Sequence, residues 1–274
     1  MPKIEVDRKA FYKYLGRTAD AQELERIFPL AKAELDGVDE EKDVLKIELN
    51  DTNRPDLWSA PGLARQLRIH ETGSVPAYPF FSKEGIMLDA GERCVTVDPG
   101  LERIRPYITA LAVTGKALDD AGLKEIIQIQ EKICWNYGQK RRSIAMGVYR
   151  SDLIEYPVRY TAADPDTTKF VPLDFSRELS LREINSIHPK GKDYGHIVEN
   201  FPAFPFLTDT NGEVLSYPPV INSARVGAVE IGDENLFIEL TGTEIYSLTI
   251  ATSIIACDLT DMGYTILPVR IEYP

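Results

Sequence analysis

The stretch Asn235-Leu-Phe-Ile-Glu-Leu-Thr-Gly-Thr243 joins the main structural and chemical signals of the chain. Its apolar residues predict a strand over 236–240, and Thr243 can cap a long helix that follows. A buried carboxylate without a partner is costly, so a strand interior normally excludes an acid. Glu239 therefore indicates a concave site that binds a polar ligand group, or else a strand with one face in solvent.

A second stretch, Leu215-Ser-Tyr-Pro-Pro-Val-Ile-Asn-Ser223, also threads small polar side chains through strand-like sequence. Ser216 and Asn222 are its candidates for ligand contacts. Immediately before it, Asp209-Thr-Asn-Gly212 contains an Asn-Gly pair, which is a strong signal for a β-hairpin. We therefore expect this region to form two paired strands that carry polar side chains.

Helical and strand-like segments mingle along the chain without strict strand–helix alternation, which favours an α+β fold over a doubly wound one. Residues 1 to about 75 predict a small α+β module, in which 30–35 and 44–49 pair around a turn at Asp36-Gly37. Residues 74–90, with two prolines and no clear period, are the best linker candidate. The chain stops on a strand-like run, which we expect of a piece of a longer protein.

The region after the linker mixes strands with well-marked helices. Asp119 or Asp120 begins a helix that reaches Asn136, with apolar residues along one face. Ser180-Leu-Arg-Glu183 is a capping box, which predicts another helix start. The pattern therefore predicts a larger, mixed-sheet α+β region.

The chain of 274 residues has 43 acidic and 31 basic residues, so its formal net charge is −12. A negative field repels a polyanion, and phosphate contacts need surface lysines and arginines. Any binding of RNA must therefore depend on a local basic patch or on other parts of an assembly. Gln139-Lys-Arg-Arg142 is the densest basic run, although a solvated loop is its simpler interpretation.

Targeting signals and disulfide patterns are missing from the sequence. No apolar run approaches the roughly 18–20 residues of a membrane span, and the start Met-Pro-Lys-Ile-Glu-Val lacks the apolar region of a signal peptide. We therefore expect a cytoplasmic protein. Cys94, Cys134 and Cys257 are odd in number and far apart, so they are expected to be reduced packing thiols.

Familiar catalytic motifs are also missing. There is no Walker or Rossmann glycine-rich loop, no Gly-x-Ser-x-Gly elbow and no metal-binding pattern around the three histidines. Asp51 and Asp56 could share a cation, but turn capping is the more common role of such a pair. His188 precedes Pro189, so a capping or core role is expected for it rather than a role as a base. The chain is therefore a binding module or an enzyme that acts mainly by positioning water.

Several motifs, taken in order, resemble one protein family. Asn50-Asp-Thr-Asn-Arg-Pro-Asp-Leu57, followed by Pro61-Gly-Leu-Ala-Arg65, is similar to the N-terminal signature of the phenylalanyl-tRNA synthetase β subunit. The further matches are Gln130–Ile133, Lys169–Leu173, His188–Gly191 with Tyr194, Asp209–Pro219, Ile221–Ser223 and Asn235–Thr243. The resemblance covers nearly the whole chain. Its pattern is that of the archaeal and eukaryal-type β subunit, a form also found in some bacteria.

The resemblance implies a domain division and an activity. Residues 1–80 correspond to the first β-subunit module, and residues 85–274 to the B3/B4 editing domain. The implied reaction is hydrolysis of tyrosine mischarged onto tRNA(Phe). In this family ATP, magnesium and phenylalanine belong to the α subunit, so this chain is expected to hold no cofactor and to activate no amino acid. The implied partners are mischarged tRNA(Phe) and the α subunit of an (αβ)2 enzyme, without DNA or a membrane.

The resemblance also assigns roles to single residues. Glu239 is implied as the acceptor for the tyrosine hydroxyl, because the family places an acid here, on a strand just before Thr-Gly. An acceptor of this kind is needed because an apolar pocket rejects an added hydroxyl only weakly. Some relatives have Asp at this position, so the depth of the pocket stays open. The residues implied to hold the attacking water are Thr241, Ser216 and Asn222. Those implied to contact the substrate are Leu207 and Gly242 near the amino acid, and Gln130 and Arg142 near the adenosine or a phosphate.

Each assignment has a structural alternative. Glu239 could lie on the solvent face of an edge strand, and Thr241 could bond only the backbone of a turn. The remaining alternatives are a core leucine at Leu207, a turn serine at Ser216, a buried amide at Asn222, an unusual turn at Gly242 and a surface ion pair at Arg142. For the whole chain, the alternatives are a tRNA- or protein-binding module without hydrolysis and a scaffold that braces the α subunit.

Overall fold

The computed structural model describes residues 2–50, 53–82 and 89–274, which fold as the α+β protein that the sequence predicts. Two predicted features, Asp51 of the possible cation pair and the centre of the linker candidate, lie outside these ranges. Among the described residues, no helix is both long and apolar enough to cross a bilayer.

The N-terminal part is a three-stranded antiparallel sheet, with order β1-β3-β2, and three helices. Its elements are β1 (Lys3–Asp7), α1 (Arg8–Leu15), α2 (Ala21–Ile27), β2 (Ala33–Asp39), β3 (Val44–Leu49) and α3 (Ala60–Thr72). The predicted turn at Asp36-Gly37 is wrong. β2 runs through these residues with a bulge, and the chain reverses at 40–43, where Asp43 has the left-handed φ of 56° that a tight turn uses.

The larger part has twelve further strands and four further helices within the described ranges. The strands are β4 (Cys94–Val97), β5 (Tyr107–Thr114), β6 (Ile144–Arg150), β7 (Val158–Ala163), β8 (Lys169–Phe170), β9 (Leu179–Ser180), β10 (Phe204–Thr208), β11 (Val214–Tyr217), β12 (Ile221–Asn222), β13 (Leu236–Gly242), β14 (Thr265–Pro268) and β15 (Arg270–Glu272). The helices are α4 (Asp120–Lys132), α5 (Leu181–Ile187), α6 (Pro189–Tyr194) and α7 (Ile245–Asp261).

Two large sheets meet on one face of β13. A four-stranded antiparallel sheet has the order β14-β5-β13-β6, and a six-stranded mixed sheet has the order β12-β11-β10-β7-β4-β15. Phe237 packs with Tyr160 and Leu207 of the six-stranded sheet in what we call the inter-sheet cluster. The alternate residues Leu236 and Ile238 pack in a helix-side cluster with α4 and α7. β13 is therefore buried on both faces.

The helix-side cluster also contains Ile4 and Leu45 of the N-terminal sheet, so the two predicted domains share apolar packing. Polar contacts join them as well, since the Arg65 guanidinium of α3 lies 3.0 Å from the Asp258 carboxylate of α7. The division between 1–80 and 85–274 stays a prediction.

Helix boundaries follow the capping signals closely. Ser180 and Glu183 form the predicted reciprocal capping box of α5. α4 continues into a π-helical turn at Ile133–Tyr137, which agrees with the predicted end at Asn136. The cap of α7 is Glu244 rather than the predicted Thr243, because the Glu244 carboxylate accepts from the Tyr246 and Ser247 amides.

Candidate functional site

Glu239 lies at the centre of the four-stranded sheet, opposite Ala110 of β5 and Gly147 of β6. Its side chain points to the six-stranded sheet, because it alternates with Ile238 and shares the face of Phe237. The residue is only 2% exposed. The alternative of a solvent-facing glutamate on an edge strand is therefore wrong.

The Glu239 carboxylate belongs to a hydrogen-bonded group between the two sheets. The Tyr149 hydroxyl lies 2.9 Å from Glu239 Oε1 and 2.8 Å from the Ser216 hydroxyl. A phenol carries one proton, so when Tyr149 donates to Glu239 it accepts from Ser216. Glu239 Oε2 is buried and has no hydrogen-bond partner among the residues that the structure describes.

Burial controls the ionisation of this group. Removal from water raises the pKa of Glu239 to about 7, although the Tyr149 hydrogen bond and the Arg105 charge oppose the rise. Burial also raises the pKa of Tyr149 well above its usual value, and the nearby Glu239 adds to that effect. Tyr149 is therefore a neutral hydrogen-bond donor, while Glu239 changes charge near neutral pH.

Gly147 makes room for the Glu239–Tyr149 contact. A Cβ atom at this position would lie 2.0 Å from the Tyr149 hydroxyl oxygen and 2.6 Å from Glu239 Oε1. Such distances are far shorter than any normal contact. The glycine therefore lets the tyrosine ring fold back over β6 to reach the acid on the neighbouring strand.

Thr241, two residues after Glu239 on the same face, is held by a buried arginine. Arg105 Nε donates to the Thr241 hydroxyl at 2.9 Å, and Nη2 donates to the Thr241 carbonyl at 2.6 Å. Arg105 Nη1 donates to the Arg142 carbonyl at 2.9 Å. Arg105 is 1% exposed, and burial lowers the pKa of its guanidinium. The positive charge of Arg105 also lowers the pKa of the buried Glu239 carboxyl.

Strand register brings three predicted residues into one row. Leu207 pairs with Ser216, and Ser216 pairs with Asn222, so β10, β11 and β12 each contribute one side chain at the same level. Directly paired residues lie on the same face of a sheet. Leu207 packs in the inter-sheet cluster and Ser216 reaches Tyr149, so the row faces β13. The sequence predicts these residues separately, and the fold places them together.

The amide side chains of two predicted site residues, Asn222 and Gln130, donate to backbone carbonyls of β6, which is an edge strand of its sheet. Asn222 Nδ2 donates to the Val148 carbonyl at 3.3 Å, and Gln130 Nε2 donates to the Met146 carbonyl at 2.6 Å. Both amides therefore satisfy backbone groups that an edge strand leaves open. Gln130 comes from α4, and among the described residues its side chain forms no hydrogen bond with Glu239.

Gly242 and Arg142 lie between the buried group and the surface. A Cβ at Gly242 would lie 2.5 Å from the Ser143 carbonyl oxygen and 2.6 Å from Leu248, so the close approach at this glycine is to the protein itself. Arg142 is exposed, and its guanidinium forms no ion pair with any described residue. Their proposed substrate contacts stay predictions.

His188 has a capping role, as the sequence indicates. Its Nδ1 accepts from the Lys190 amide at 3.1 Å at the start of α6, and its Nε2 lies 3.0 Å from the Leu173 carbonyl. Nδ1 acts as an acceptor, so Nε2 carries the proton and donates to that carbonyl. Both ring nitrogens are thus engaged in structural bonds.

Two adjoining grooves open on the surface beyond the end of β13. Their volumes are about 1510 and 760 Å³. Thr243 lines the larger groove and Arg142 lines the smaller one. Within the described part of the chain, Glu239 and Ser216 line neither groove, so the buried group lies behind this surface.

Sequence reasoning missed Tyr149, Arg105 and Gly147. Tyr149 follows Gly147 in an apolar run, and an aromatic residue there is indistinguishable from ordinary core packing. Arg105 stands in a short segment with no period, next to Pro106. Only the pairing of β6 with β13 places Tyr149 and Gly147 beside the acid, and only the hydrogen bonds to Thr241 place Arg105 there. No group of three or more His, Cys, Asp or Glu side chains suited to a metal ion occurs among the described residues.

Several known proteins that are similar to this chain are phenylalanine–tRNA ligase β subunits. No protein-family model matches the chain. The phenylalanine–tRNA ligase β subunits of Borreliella burgdorferi (strain ZS7) and Borreliella afzelii (strain PKo) are 48% and 46% identical to it over 274 residues. These alignments cover 100% of this chain and 48% of each relative, so the chain spans about half the length of the curated relatives it matches.

A solved structure gives a closer match in length. The crystal structure of an N-terminal fragment of the phenylalanyl-tRNA synthetase β subunit from Pyrococcus horikoshii has a TM-score of 0.92 and 37% sequence identity with this chain. The match covers 99% of this chain and 77% of that fragment. Similarity of this degree over most of both chains shows common descent and a common fold. The chain belongs to the phenylalanyl-tRNA synthetase β-subunit family.

Proposed function

We propose that this chain is the proofreading part of a phenylalanyl-tRNA synthetase and hydrolyses tyrosine from mischarged tRNA(Phe). The observation that supports this most directly is the buried Glu239, whose Oε2 has no hydrogen-bond partner in the described part of the chain. A buried acceptor left unpaired costs about 1–3 kcal/mol. A ligand that donates a hydrogen bond to Oε2 recovers this energy. The phenol of tyrosine is such a donor, and phenylalanine has none.

Hydrogen bonding supplies a selectivity that an apolar pocket lacks. A pocket shaped for phenylalanine discriminates against an added hydroxyl by only about a hundredfold. A second site that accepts the hydroxyl reverses the preference and removes the error. Tyr149 already donates to Oε1 of Glu239, so the substrate phenol becomes the second donor to the same carboxylate.

The proposed reaction is attack of a positioned water on the ester carbonyl, which releases tyrosine and restores the free ribose hydroxyl at the end of the tRNA. Ser216, Asn222 and Thr241 are the proposed groups that hold the water, and backbone amides steady the oxyanion. The vicinal ribose hydroxyl of the terminal nucleotide is proposed to assist. Arg105 acts on this arrangement through Thr241, whose hydroxyl and carbonyl it fixes.

The proposal extends to the assembly. We propose that residues 85–274 correspond to the B3/B4 editing domain, that the β subunit is of the archaeal and eukaryal type, and that it works in the cytoplasm. Its proposed partners are tRNA(Phe) and the α subunit of an (αβ)2 enzyme, where ATP, magnesium and phenylalanine bind. The likeness to the Pyrococcus horikoshii fragment supports the proposed type.

One observation favours a second candidate, a binding module or scaffold without hydrolysis. Glu239 Oε1 already has an internal phenol partner, and the grooves described above are lined by other described residues. A closed, internally bonded acid suits a structural core as well as a site that opens for its substrate. This candidate predicts that the chain binds charged tRNA without releasing the amino acid.

The test is deacylation of labelled Tyr-tRNA(Phe) by the purified chain, with Phe-tRNA(Phe) in parallel, and with the α subunit present and absent. We expect tyrosine to be released much faster than phenylalanine in at least one of these conditions. Binding of both charged tRNAs without release of either amino acid would replace the editing proposal with the second candidate.

A further inference from the structure

The two surface grooves form one continuous surface. They share Trp135, Gln139, Asp193 and Tyr194 as lining residues. The larger groove, at about 1510 Å³, exceeds the roughly 300–1,000 Å³ of a cleft for a drug-sized ligand. The combined surface therefore suits an extended ligand of several units.

Aromatic rings and cations alternate along this surface. The Trp135 side chain is 52% exposed, whereas the other tryptophan, Trp58, is 3% exposed. Lys140 Nζ lies 5.0 Å from the Trp135 ring centre, and the Arg141 guanidinium lies 4.3 Å from the Tyr194 ring centre. An exposed indole beside a cation is the arrangement on which an unpaired base stacks.

The cations of this surface lack acidic partners. Lys140, Arg141, Arg142 and Lys190 form no ion pairs within residues 2–50, 53–82 and 89–274, although the whole chain has a net charge of −12. Asp193 is the acid that lines both grooves. Arg141 Nη1 already donates to the Pro219 and Val220 carbonyls, whereas Lys140, Arg142 and Lys190 carry most of the charge that is open to a ligand. Such a concentration of cations without acidic partners on an acidic protein indicates an anionic ligand.

Two further acids at the larger groove, Glu131 and Glu244, reduce this charge without cancelling it. The Glu244 carboxylate accepts the Ser247 and Tyr246 amides at the start of α7, and these bonds lower its pKa, so it stays charged. The lining of the larger groove still has four basic residues against three acids, and that of the smaller groove has Lys140 and Arg142 against Asp193. A positive excess therefore remains on both grooves.

The position of the surface relates it to the buried acid. Thr243, which lines the larger groove, directly follows β13, and Glu239 lies four residues earlier, a distance of about 13 Å at roughly 3.3 Å per extended residue. Arg105 links the two regions, since it donates to the carbonyl of Arg142 and to Thr241. A chain lying in the grooves would thus end close to the buried group.

We infer that Trp135, Lys140, Arg141, Arg142, Lys190 and Tyr194 form a docking surface for a single-stranded RNA end. A base stacks on Trp135, and the cations contact the phosphates. The ligand is a single strand because stacking on a side chain requires a base that is not already paired within a duplex. This inference rests on the proposed function in that the strand is the acceptor end of the tRNA, which carries the ester towards Glu239.

Tryptophan fluorescence tests the inference directly, because the chain has two tryptophans and one of them is at the surface. The probe is a short single-stranded RNA that ends in CCA, with a duplex of the same sequence for comparison. In a Trp58→Phe variant the remaining indole is Trp135, so the single strand should quench most of the emission. Trp58 also lines the larger groove, but it is only 3% exposed, so the same RNA should quench a Trp135→Phe variant much less than it quenches the Trp58→Phe variant.

Affinity measurements with labelled RNA complete the test. Trp135→Ala should weaken binding at least about fivefold, which is the lower end of one base stack. Lys140→Ala and Arg142→Ala should each reduce the slope of log affinity against log salt by about 0.7. Lys13→Ala, at an exposed lysine of α1 that lines neither groove, is the matched control and should leave the affinity unchanged. Circular dichroism verifies that each variant is folded.

The outcomes separate this inference from the proposed function. The inference is overturned if Trp135→Ala binds the RNA as tightly as the wild type does. It is also overturned if the wild type binds the duplex, or an acidic phosphopeptide, as tightly as it binds the single strand. If the RNA binds through Trp135 but tyrosine is never released, the editing proposal fails and the docking surface stands. If tyrosine is released and Trp135→Ala changes neither affinity nor KM, the docking inference alone fails.

Discussion

Glu239 is an acid whose partners were brought to it by strand pairing. Its presence in an apolar run was visible in the sequence, because a carboxylate there needs an explanation. Tyr149 and Arg105 were not predictable, since a tyrosine in a buried strand and an arginine before a proline have many ordinary roles. The position of Tyr149 depends on the register of β6 on β13, and that of Arg105 on its bonds to Thr241, and both are long-range properties.

Replacement of Glu239 should affect selectivity more than cleavage. Glu239→Ala removes the proposed acceptor, so the preference for Tyr-tRNA(Phe) over Phe-tRNA(Phe) should fall by about 10- to 100-fold, as expected for about 1–3 kcal/mol. Parallel deacylation of the two esters measures this ratio. Glu239→Gln, which keeps the size and one acceptor oxygen, is the matched control and should lose less. A wild-type preference in Glu239→Ala would show that this acid does not recognise the hydroxyl.

The same preference should depend on pH. The pKa of Glu239 is raised to about 7, so the carboxylate form, which accepts the stronger charge-assisted bond, increases between about pH 6 and pH 8. The ratio of tyrosine to phenylalanine release should therefore rise over this interval. Hydrolysis of the ester by base affects both charged tRNAs equally and therefore cancels in the ratio. The ratio measured for Glu239→Gln should not change between about pH 6 and pH 8. A wild-type ratio that falls as the pH rises contradicts the assigned role of the ionised acid.

Gly147 should tolerate no side chain. In Gly147→Ala the new Cβ would lie 2.0 Å from the Tyr149 hydroxyl and 2.6 Å from Glu239, so the core must shift. Overpacking of this kind costs about 1–3 kcal/mol of the free energy of unfolding, which urea denaturation measures. Gly100→Ala is the control, because its nearest contacts would be 3.1 Å or longer. Equal destabilisation of both variants would mean that the tight fit at Gly147 is not special.

Elements whose signals are local were predicted well. The hairpin of β10 and β11, the capping box of α5 and the long α4 each depend on neighbouring residues, and the structure confirms them. The start of α7 was missed by one residue, because both Thr243 and Glu244 offer an oxygen to the first amides of the helix. Only the backbone geometry decides which of the two is the cap.

This ambiguity gives a test on adjacent positions. Glu244→Ala removes the oxygens that accept from Tyr246 and Ser247, so the free energy of unfolding should fall by about 0.5–2 kcal/mol. Thr243→Ala should change it by less than half of that amount. Thermal or urea unfolding compares the two. A larger loss in Thr243→Ala would return the capping role to the threonine.

For the whole molecule, the sequence predicted the α+β class and the position of the polar strand, but not how the sheets meet. The row of Leu207, Ser216 and Asn222 comes from three strands whose pairing cannot be deduced from local pattern. The groove around Trp135 was hidden for the same reason, because residues from α6 and the start of α7 complete it. The type of each helix or strand was therefore easier to predict than the way in which distant strands and helices pack together.

Two buried acids should make the whole fold less stable as the pH rises. Burial raises the pKa of Glu125 to about 8 and that of Glu239 to about 7, from 4.5 in both cases. Between about pH 4.5 and pH 8 the folded state therefore holds protons that the unfolded state has released, so the free energy of unfolding falls with rising pH. Glu125 alone contributes on the order of 4 kcal/mol.

Urea denaturation at several pH values measures this effect. Glu125→Gln keeps an acceptor for the Ala60 amide, which lies 2.8 Å from the wild-type carboxylate, and should flatten the decline. The exposed Glu178→Gln is the control and should leave the decline as it is. A wild-type stability that increases over the same interval would show that these acids are ionised in the folded state.

The alternation along β13 has a consequence for how such a protein changes over generations. Odd-numbered positions such as Glu239 and Thr241 face the polar group, while even-numbered positions such as Ile238 and Leu240 hold the helices in place. Substitutions at positions of the first kind can therefore change which ligand is preferred, while conservation at positions of the second kind preserves the packing of the helices. Ligand preference can evolve on one face of this strand without loss of the packing on the other.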